Sequence, residues 1–229
     1  MKSSLKVLFK YILRFLIKVD LKDNFFISND FGFSRGNPID RYYIENFLKK
    51  NQNDFVGESL EFGTDFYLKK FNRGITSFNI FTSLKDKSKN KNLIKGDLSI
   101  VKNLPEEKYD LIVCTNVLNF IYDINLAIKG LHKMLKKNGV CLVTIASFST
   151  HVSRYDMDRW GDYWRLSEKS AYKAFKKNNF IIDECKSFGN VKLAIAQMNG
   201  LCVDDIDSDI LKINDNDYQM LITLRVKKQ

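Results

Sequence analysis

The sequence has few residues that interrupt secondary structure, with only two prolines and eleven glycines among 229 residues. This scarcity leaves little room for long linkers, so the length suits one α/β domain with an accessory element, or at most two small domains. Hydrophobic residues make up 45% of the chain and aromatic residues 13%. These fractions are sufficient for a packed core and exclude a chain that is disordered throughout.

Cysteine and histidine are also scarce, with four and two residues respectively. No two cysteines have the C-x-x-C spacing, and Cys114 and Cys141 lie inside apolar runs. We therefore expect buried, reduced thiols in a cytoplasmic protein. We expect no metal site, because no cluster of histidine and cysteine has the spacing of metal ligands.

The charges are unbalanced, with a formal net charge of +10. An excess of this size is compatible with nucleic acid, an anionic membrane surface or an acidic substrate, and it selects none of them. The basic residues are dispersed rather than set among stacking aromatic side chains, and no Pro–Cys pair is present as a cytosine nucleophile. We therefore expect no nucleic-acid partner.

The N-terminal segment lacks an uncharged run long enough for a signal peptide or a membrane span. A cation recurs there every four residues, at Lys2, Lys6, Lys10, Arg14 and Lys18. This stripe lies opposite an apolar helix face, so residues 1–34 are predicted to be an amphipathic basic helix with a lead-in. Such a helix suits contact with the inner membrane face through residues 1–20. The competing interpretation is that it covers an apolar patch of its own domain or of a partner in a homodimer.

A helix is predicted immediately after this lead-in. Asn37 is placed to cap it, Pro38 fits its first turn, and Asp40 lies where the helix dipole favours a carboxylate. The helical period predicts an inward face formed by Ile39, Tyr43, Phe47 and Leu48.

Apolar segments of strand length alternate with helical patterns along the rest of the chain. The predicted strands cover residues 59–62, 75–81, 92–98, 109–118, 140–147, 180–189 and 218–228. The predicted helices between them include residues 124–137, 168–178 and 190–201. Strands that are apolar on both faces and alternate with helices predict a mostly parallel sheet covered on both sides.

In such sheets the ligand lies beyond the carboxyl ends of the strands, near the switch in strand order. The residues at those ends are therefore the first candidates for chemistry. They are Glu61, Gly63 and Asp65 after the first strand, Asn79 at the second, Asp97 after the third, and Thr115 and Asn116 at the fourth.

From about Arg35 to the C-terminus the chain resembles the class I methyltransferases that use S-adenosylmethionine. It is most similar to a bacterial subset associated with glycosyltransferases and surface-polysaccharide synthesis. The motifs that carry the resemblance are GNPIDRYYIENFL, SLEFGTDFY, GDL, YDLIVCTNVLNFIYD, LKKNGVCLVTIAS, RYDMDRWGDYWR and GNVKLAIAQMNGL. The resemblance implies a Rossmann-like sheet of seven strands, the last antiparallel, over residues 35–229.

The resemblance also implies roles for the residues at the strand ends. Glu61, Gly63 and Asp65 would hold the methionine part of the cofactor, and Asn79 would bridge the ribose hydroxyls. Asp97 would contact the adenine amino group, while Thr115 and Asn116 would flank the sulfonium. Two departures favour a non-catalytic binding or scaffold protein as the alternative: the first motif has one glycine, and Asn79 replaces the usual carboxylate.

The segment 148–167 contains both tryptophans of the chain among alternating charges, and it follows the fifth strand. We expect it to lie over the cofactor's methyl group on the acceptor side. Its aromatic rings suit the C–H face of a sugar, its aspartates suit hydroxyl groups, and its arginines suit a carboxylate or phosphate. The predicted acceptor-binding residues are Arg154, Tyr155, Asp158, Arg159, Trp160, Asp162, Tyr163, Trp164 and Arg165.

A hydroxyl acceptor must lose a proton, and His151 and Asp156 are the candidate general bases. The competing interpretation of this segment is structural. Asp158 would pair with Arg159 or Arg165 to stabilise the loop, and one tryptophan would plug the core.

The sequence therefore predicts a methyltransferase that methylates a hydroxyl of a sugar in a bacterial surface glycan or its precursor, an anionic glycan being compatible with the arginines. A small-molecule or lipid acceptor is the rival within enzymes. A glycosyltransferase partner or a homodimer is compatible with this function. The expected location is the cytoplasm, with peripheral contact at the inner membrane face.

Overall fold

The computed structural model describes residues 26–83 and 91–229. The helix predicted for residues 1–20 lies outside these ranges. Within them, no helix combines the length and apolar character needed to cross a membrane.

The fold is built on one sheet of seven strands in the order β3-β2-β1-β4-β5-β7-β6. Every neighbouring pair is parallel except those that β7 makes with β5 and β6. The strands are β1 Val56–Phe62, β2 Gly74–Ser83, β3 Leu93–Gly96, β4 Tyr109–Thr115, β5 Leu135–Ala146, β6 Phe180–Phe188 and β7 Leu221–Lys228. The prediction of a mostly parallel sheet with an antiparallel last strand is confirmed.

Helices cover both faces of the sheet. They are α1 Ile39–Lys50, α2 Phe66–Phe71, α3 Ile124–Met134, α4 Arg154–Trp160, α5 Glu168–Lys177, α6 Val191–Met198 and α7 Ser208–Lys212. Successive residues of a strand point to opposite faces, and β4 is apolar on both. Leu111 and Val113 pack in the core layer that contains Ile39 of α1, whereas Ile112 packs in the layer that contains Ile128 of α3.

Three predicted boundaries are wrong for identifiable reasons. Helix α1 begins at Ile39 with Pro38 as its cap residue, because the Asn37 carbonyl accepts a hydrogen bond from the backbone of Val203 instead. Strand β4 ends at Thr115, before the predicted residue 118, because Asn116 adopts a left-handed φ of 51°. Helix α3 ends at Met134, since the next residue already pairs with β4.

The described part of the lead-in packs on the domain. The backbone N–H groups of Ile27 and Ser28 donate to the carbonyl of Asn199 at 2.9 and 3.2 Å. Arg35 forms a two-point ion pair with Asp205 at 2.9 and 3.0 Å. Residues 26–38 are therefore held against the segment that follows α6, close to the start of α1.

The strand order reverses direction between β1 and β4, which are adjacent although β2 and β3 lie between them in the sequence. Their register pairs Glu61 with Val113. Two positions further along, Gly63 and Thr115 therefore lie side by side at the carboxyl edge. This edge is where an open α/β sheet binds its ligand.

Candidate active site

The loop after β1 borders open space at this edge, which we call the concavity. Gly63 has a φ of 74°, and a Cβ atom placed there would meet no heavy atom within 4 Å. A residue with a side chain would be strained at this φ and would fill the space in front of β1. The backbone is thus free for close approach by a ligand, which fits the predicted role of Gly63 against the methionine part of a cofactor.

Glu61 lies beneath this loop and stabilises it. Its buried carboxylate accepts hydrogen bonds from the backbone N–H groups of Tyr67 at 3.2 Å and Leu68 at 2.9 Å, in the first turn of α2. Burial raises the pKa of Glu61 to about 7, and these hydrogen bonds oppose the shift. Glu61 therefore positions the loop from below, and the direct contact with cofactor that we expect from the sequence stays a prediction.

Asp65, the third residue of that predicted group, precedes α2 directly. Its carboxylate forms an ion pair with Lys69 at 2.8 Å. The side chain is therefore engaged along the helix, four residues on. A role toward the cofactor would require this exposed pair to rearrange.

The prediction that Asn79 ends the second strand is wrong, because β2 continues to Ser83. Its side-chain amide donates to the carbonyl of Asn92 at 3.2 Å and accepts from the hydroxyl of Tyr109 at 3.0 Å. Asn79 thus links β2 to its neighbours within the sheet. The ribose-bridging role that the resemblance implies for Asn79 stays a prediction.

Asp97 lies immediately after β3, as the sequence predicts, and is exposed. Its carboxylate accepts from the backbone N–H of Ser99 at 2.9 Å and from the Ser99 hydroxyl at 2.6 Å. These bonds fix a tight turn at the carboxyl edge. The position agrees with the adenine-contacting role that the resemblance implies.

Thr115 and Asn116 end β4 beside the Gly63 loop, and Asn116 leads to a residue that sequence reasoning missed. The Asn116 side-chain amide donates to the carboxylate of Asp40 at 3.0 Å. Asp40 is partly buried at the start of α1, and burial raises its pKa. The residue belongs to the GNPIDRYY motif, but its sequence position alone indicates only a favourable interaction with the helix dipole.

The segment 148–167 is attached to the loop that follows β4. The backbone N–H of Tyr163 donates to the Asn119 carbonyl at 2.8 Å. The indole N–H of Trp164 donates to the carbonyls of Ile121 at 3.1 Å and Tyr122 at 3.0 Å. Because residue 116 ends β4, these bonds hold the segment at the carboxyl edge. Trp164 is the anchoring tryptophan of the two.

Asp162 and Arg165 stabilise the segment from within. They form a two-point ion pair at 2.6 and 2.8 Å, and the Asp162 side chain is 1% exposed. Arg165 also donates to the carbonyls of Thr150 at 2.9 Å and His151 at 2.8 Å. The structural interpretation therefore applies to this pair, with Asp162 in place of Asp158, and the acceptor-binding role expected for both side chains stays a prediction.

Four exposed rings form what we call the aromatic surface: Tyr122, Tyr155, Trp160 and Tyr163. Tyr122 and Trp160 are 72% and 46% exposed. The Tyr122 and Tyr163 rings meet edge to face with centroids 5.4 Å apart, as do those of Tyr155 and Trp160 at 6.5 Å. Such rings offer apolar faces with polar edges to a ligand outside the domain.

The charged residues of α4 surround this surface. The Arg159 guanidinium lies over the Tyr155 ring, 3.3 Å from its centroid, and donates to the Tyr155 carbonyl at 2.7 Å. Arg154 and Asp158 are on the same helix, and both are exposed. Both side chains lie at the surface of the domain, where an acceptor can reach them.

The two candidate bases occupy different environments. The His151 ring stacks on Phe31 of the lead-in with centroids 4.1 Å apart. Burial lowers the pKa of His151, although the backbone of Asn29 opposes the shift, so the imidazole is neutral near pH 7. Neither ring nitrogen meets hydrogen-bond geometry with a described residue. Asp156 lies in the first turn of α4, where its backbone N–H is capped by the Ser153 hydroxyl at 3.2 Å.

Comparison with known proteins supports the interpretation of this edge. Residues 65–143 match the family model described as "Methyltransferase domain". The match begins after the single-glycine loop and extends through β2, β3, β4 and α3 into β5. No curated protein matches the sequence.

Solved structures share the fold at low sequence identity. N-methyltransferase NodS from Bradyrhizobium japonicum, in complex with S-adenosyl-L-homocysteine, has a TM-score of 0.53 and 15% identity, covering 88% of this chain and 93% of that chain. An S-adenosylmethionine-dependent methyltransferase from Mesorhizobium loti has a TM-score of 0.53 and 10% identity, covering 83% and 98%. The [4+2]-cyclase SpnF has a TM-score of 0.53 and 13% identity, covering 82% and 80%. At these identities the similarity shows the fold alone.

The sheet has the class I methyltransferase fold and residues 65–143 match a methyltransferase domain, which together support an S-adenosylmethionine-dependent methyltransferase. The cofactor of this class is S-adenosylmethionine, which supplies a methyl group on a sulfonium. The open space at Gly63 follows β1 and the Asp97 turn follows β3, with β2 between them on the same carboxyl edge, along which such an elongated cofactor would extend. The described residues thus fit the group despite the sparse glycines.

Proposed function

We propose that this chain transfers the methyl group of S-adenosylmethionine to a hydroxyl of a sugar, in a bacterial surface glycan or its precursor. The observation that carries the proposal is the aromatic surface at the carboxyl edge. Grouped, exposed aromatic rings are characteristic of contact with a ligand or partner, and sugars stack their C–H faces on such rings. The arginines beside the rings suit an anionic glycan.

The arrangement also supports in-line transfer. The segment 148–167 is fixed by its Asp162–Arg165 pair and by the Trp164 anchor, both of which are internal to the domain. A rigid segment can hold an acceptor hydroxyl in line with the sulfonium and limit water around it. The neutral imidazole of His151 could accept the hydroxyl proton, as could the carboxylate of Asp156.

The rival acceptor is a lipid or another small molecule. A different reaction is the second rival, because the [4+2]-cyclase SpnF shares the fold and one fold can carry several chemistries. The proposal includes contact with a membrane and with a protein partner. Residues 1–20 would bring the enzyme to the inner membrane face, beside a glycosyltransferase or in a homodimer. Deletion of residues 1–20 should then abolish binding to anionic liposomes, and unchanged binding would reject that part.

The first experiment is calorimetric titration with S-adenosylmethionine, followed by transfer of its labelled methyl group to fractionated envelope glycans. We expect micromolar binding of S-adenosylmethionine. The transferred label should remain in the glycan fraction after protein digestion and should be released by glycan cleavage. Trp160→Ala should lower transfer to glycan at least about tenfold while leaving cofactor affinity unchanged. Label found only in lipid or small-molecule fractions would reject the glycan acceptor.

The matched control is Tyr172→Ala. Tyr172 is 44% exposed, close to the 46% of Trp160, but it lies on α5 and lines a cavity at the β6 edge of the sheet. Its loss should affect neither cofactor binding nor transfer. His151→Ala and Asp156→Ala should separate the two base candidates, because the true base is needed for turnover but not for cofactor binding.

A further inference from the structure

A short chain of polar groups runs from the sheet to Asp40. Thr144 of β5 is fully buried, and its hydroxyl accepts from the Asn116 backbone N–H at 3.2 Å. The same hydroxyl lies 3.3 Å from the side-chain oxygen of Asn116 and donates to it. The Asn116 amide is therefore oriented with its oxygen toward Thr144 and its NH₂ group toward Asp40.

These hydrogen bonds place Asp40 near the concavity beside Gly63. Asn116 follows Thr115, which lies beside Gly63 in the register of β1 and β4. The Asp40 charge also acts on Tyr67 of α2, together with the charge of Glu61. Asp40 is thus linked through Asn116 to the strand end beside the loop that would hold the methionine part.

Asp40 differs from Glu61 and Asp65, the carboxylates nearest the Gly63 loop, in its partners. Glu61 uses both oxygens on backbone N–H groups of α2, and Asp65 is paired with Lys69. Asp40 has no ion pair in the two described ranges, although the Arg41 charge favours its ionised form. Its hydrogen-bond donors, the Asn116 amide and backbone N–H groups at the start of α1, are neutral, so a cation beside this partly buried carboxylate would supply charge compensation that they do not.

We propose that Asp40 binds the α-ammonium group of the methionine part of S-adenosylmethionine, an inference that rests on the proposed function. The cofactor carries two positive centres, the ammonium and the sulfonium. The ammonium has three N–H donors for carboxylate oxygens, whereas the sulfonium has none. Asn116, fixed by Thr144, holds one Asp40 oxygen so that the carboxylate is directed before the cofactor arrives.

The test compares three ligands by calorimetry on the full chain and on Asp40→Asn. S-adenosylmethionine and S-adenosylhomocysteine both carry the ammonium, and 5′-methylthioadenosine lacks the amino-acid part. We expect Asp40→Asn to weaken the first two ligands by about ten- to a hundredfold and to leave the third unchanged. An asparagine still accepts the hydrogen bond from Asn116, so the local structure is retained.

Glu45→Gln is the matched control on the same helix, because Glu45 pairs with the exposed Lys70 at 2.7 Å and should affect no ligand. Equal weakening of all three ligands by Asp40→Asn would show that Asp40 only maintains the shape of the site. Weakening of S-adenosylmethionine alone would assign Asp40 to the sulfonium, and no weakening would remove it from binding. Each of these results overturns the inference while leaving the proposed function intact; failure of the unsubstituted chain to bind any ligand overturns both.

Discussion

The carboxylate of Glu61 accepts a hydrogen bond from the backbone N–H of Leu68 at 2.9 Å, which ties the end of β1 to the first turn of α2. A second bond from Tyr67 at 3.2 Å occupies the other oxygen. The single-glycine loop lies between these two elements. A buried carboxylate therefore supports from below a loop that has fewer glycines than is usual for its class.

The protonation of Glu61 should appear in the pH dependence of stability. Its pKa is raised from 4.5 to about 7, so the folded protein holds a proton there that the unfolded chain releases. The Glu61 contribution to the free energy of unfolding is therefore highest at low pH and falls as pH rises through that window, by on the order of 3 kcal/mol.

Urea denaturation of the unsubstituted chain and of Glu61→Gln at several pH values measures this contribution. Glutamine cannot ionise, so the stability of Glu61→Gln relative to the unsubstituted chain should increase as pH rises from about 4.5 to about 7.5. Glu58→Gln is a suitable control because Glu58 pairs on the surface with Lys136 at 2.9 Å. A stability difference that does not vary with pH would show that Glu61 titrates normally.

The ion pair between Asp162 and Arg165 yields a second prediction. Replacing Arg165 by methionine leaves the buried Asp162 carboxylate without its cation, which should destabilise the protein by about 3 kcal/mol. Adding Asp162→Asn removes the uncompensated charge and should recover part of that loss. The free energies of the two single variants and the double variant form a cycle that gives the coupling energy.

Limited proteolysis of the same variants locates the effect. If the pair holds the segment 148–167, Arg165→Met should expose it to cleavage before the rest of the domain, and the double variant should be less sensitive. Additive effects of the two substitutions would instead mean that each side chain acts independently.

The fold was accessible from the sequence because its signal is local and repeated. The run from Leu111 to Cys114 is apolar at every position, which is typical of a strand covered on both faces. Boundaries were less accessible where tertiary contacts override local preference. Leu135 does not continue helix α3 because it pairs with Tyr109 in the sheet. Strand β4 stops at Thr115 because the next residue, Asn116, has a left-handed φ, which the sequence pattern does not predict.

The site was only partly accessible, for a physical reason. Asp40 and Asn116 are 76 positions apart, and nothing in their local sequences specifies that their side chains meet. The alternating charges of the segment 148–167 allow several Asp–Arg pairs, and burial selects Asp162 with Arg165 only once the segment is folded. The sequence shows that aromatic residues are present, but it does not predict that their rings meet edge to face.

Two glycines with positive φ, Gly63 and Gly161, allow the cofactor side and the acceptor side of the site to be tested independently. Gly63→Ala places a methyl group in the open concavity, where it contacts no protein atom within 4 Å. Gly161→Ala places it 2.3 Å from the Tyr163 ring, which must move and lose its contact with Tyr122. Each alanine also carries backbone strain of about 1–3 kcal/mol from its positive φ, and the strain is greater at Gly161, whose φ of 90° and ψ of 164° are essentially restricted to glycine.

Calorimetry with S-adenosylmethionine and urea denaturation should therefore give opposite results for these variants. Gly63→Ala should weaken cofactor binding, with a stability loss limited to the backbone strain. Gly161→Ala should leave cofactor affinity unchanged and lose a further ~1–3 kcal/mol of stability, the cost of overpacking, because Tyr163 is displaced. Each variant is the control for the other, since both test a methyl group at a positive φ. Unchanged cofactor affinity in Gly63→Ala would mean that the concavity after β1 does not hold the cofactor.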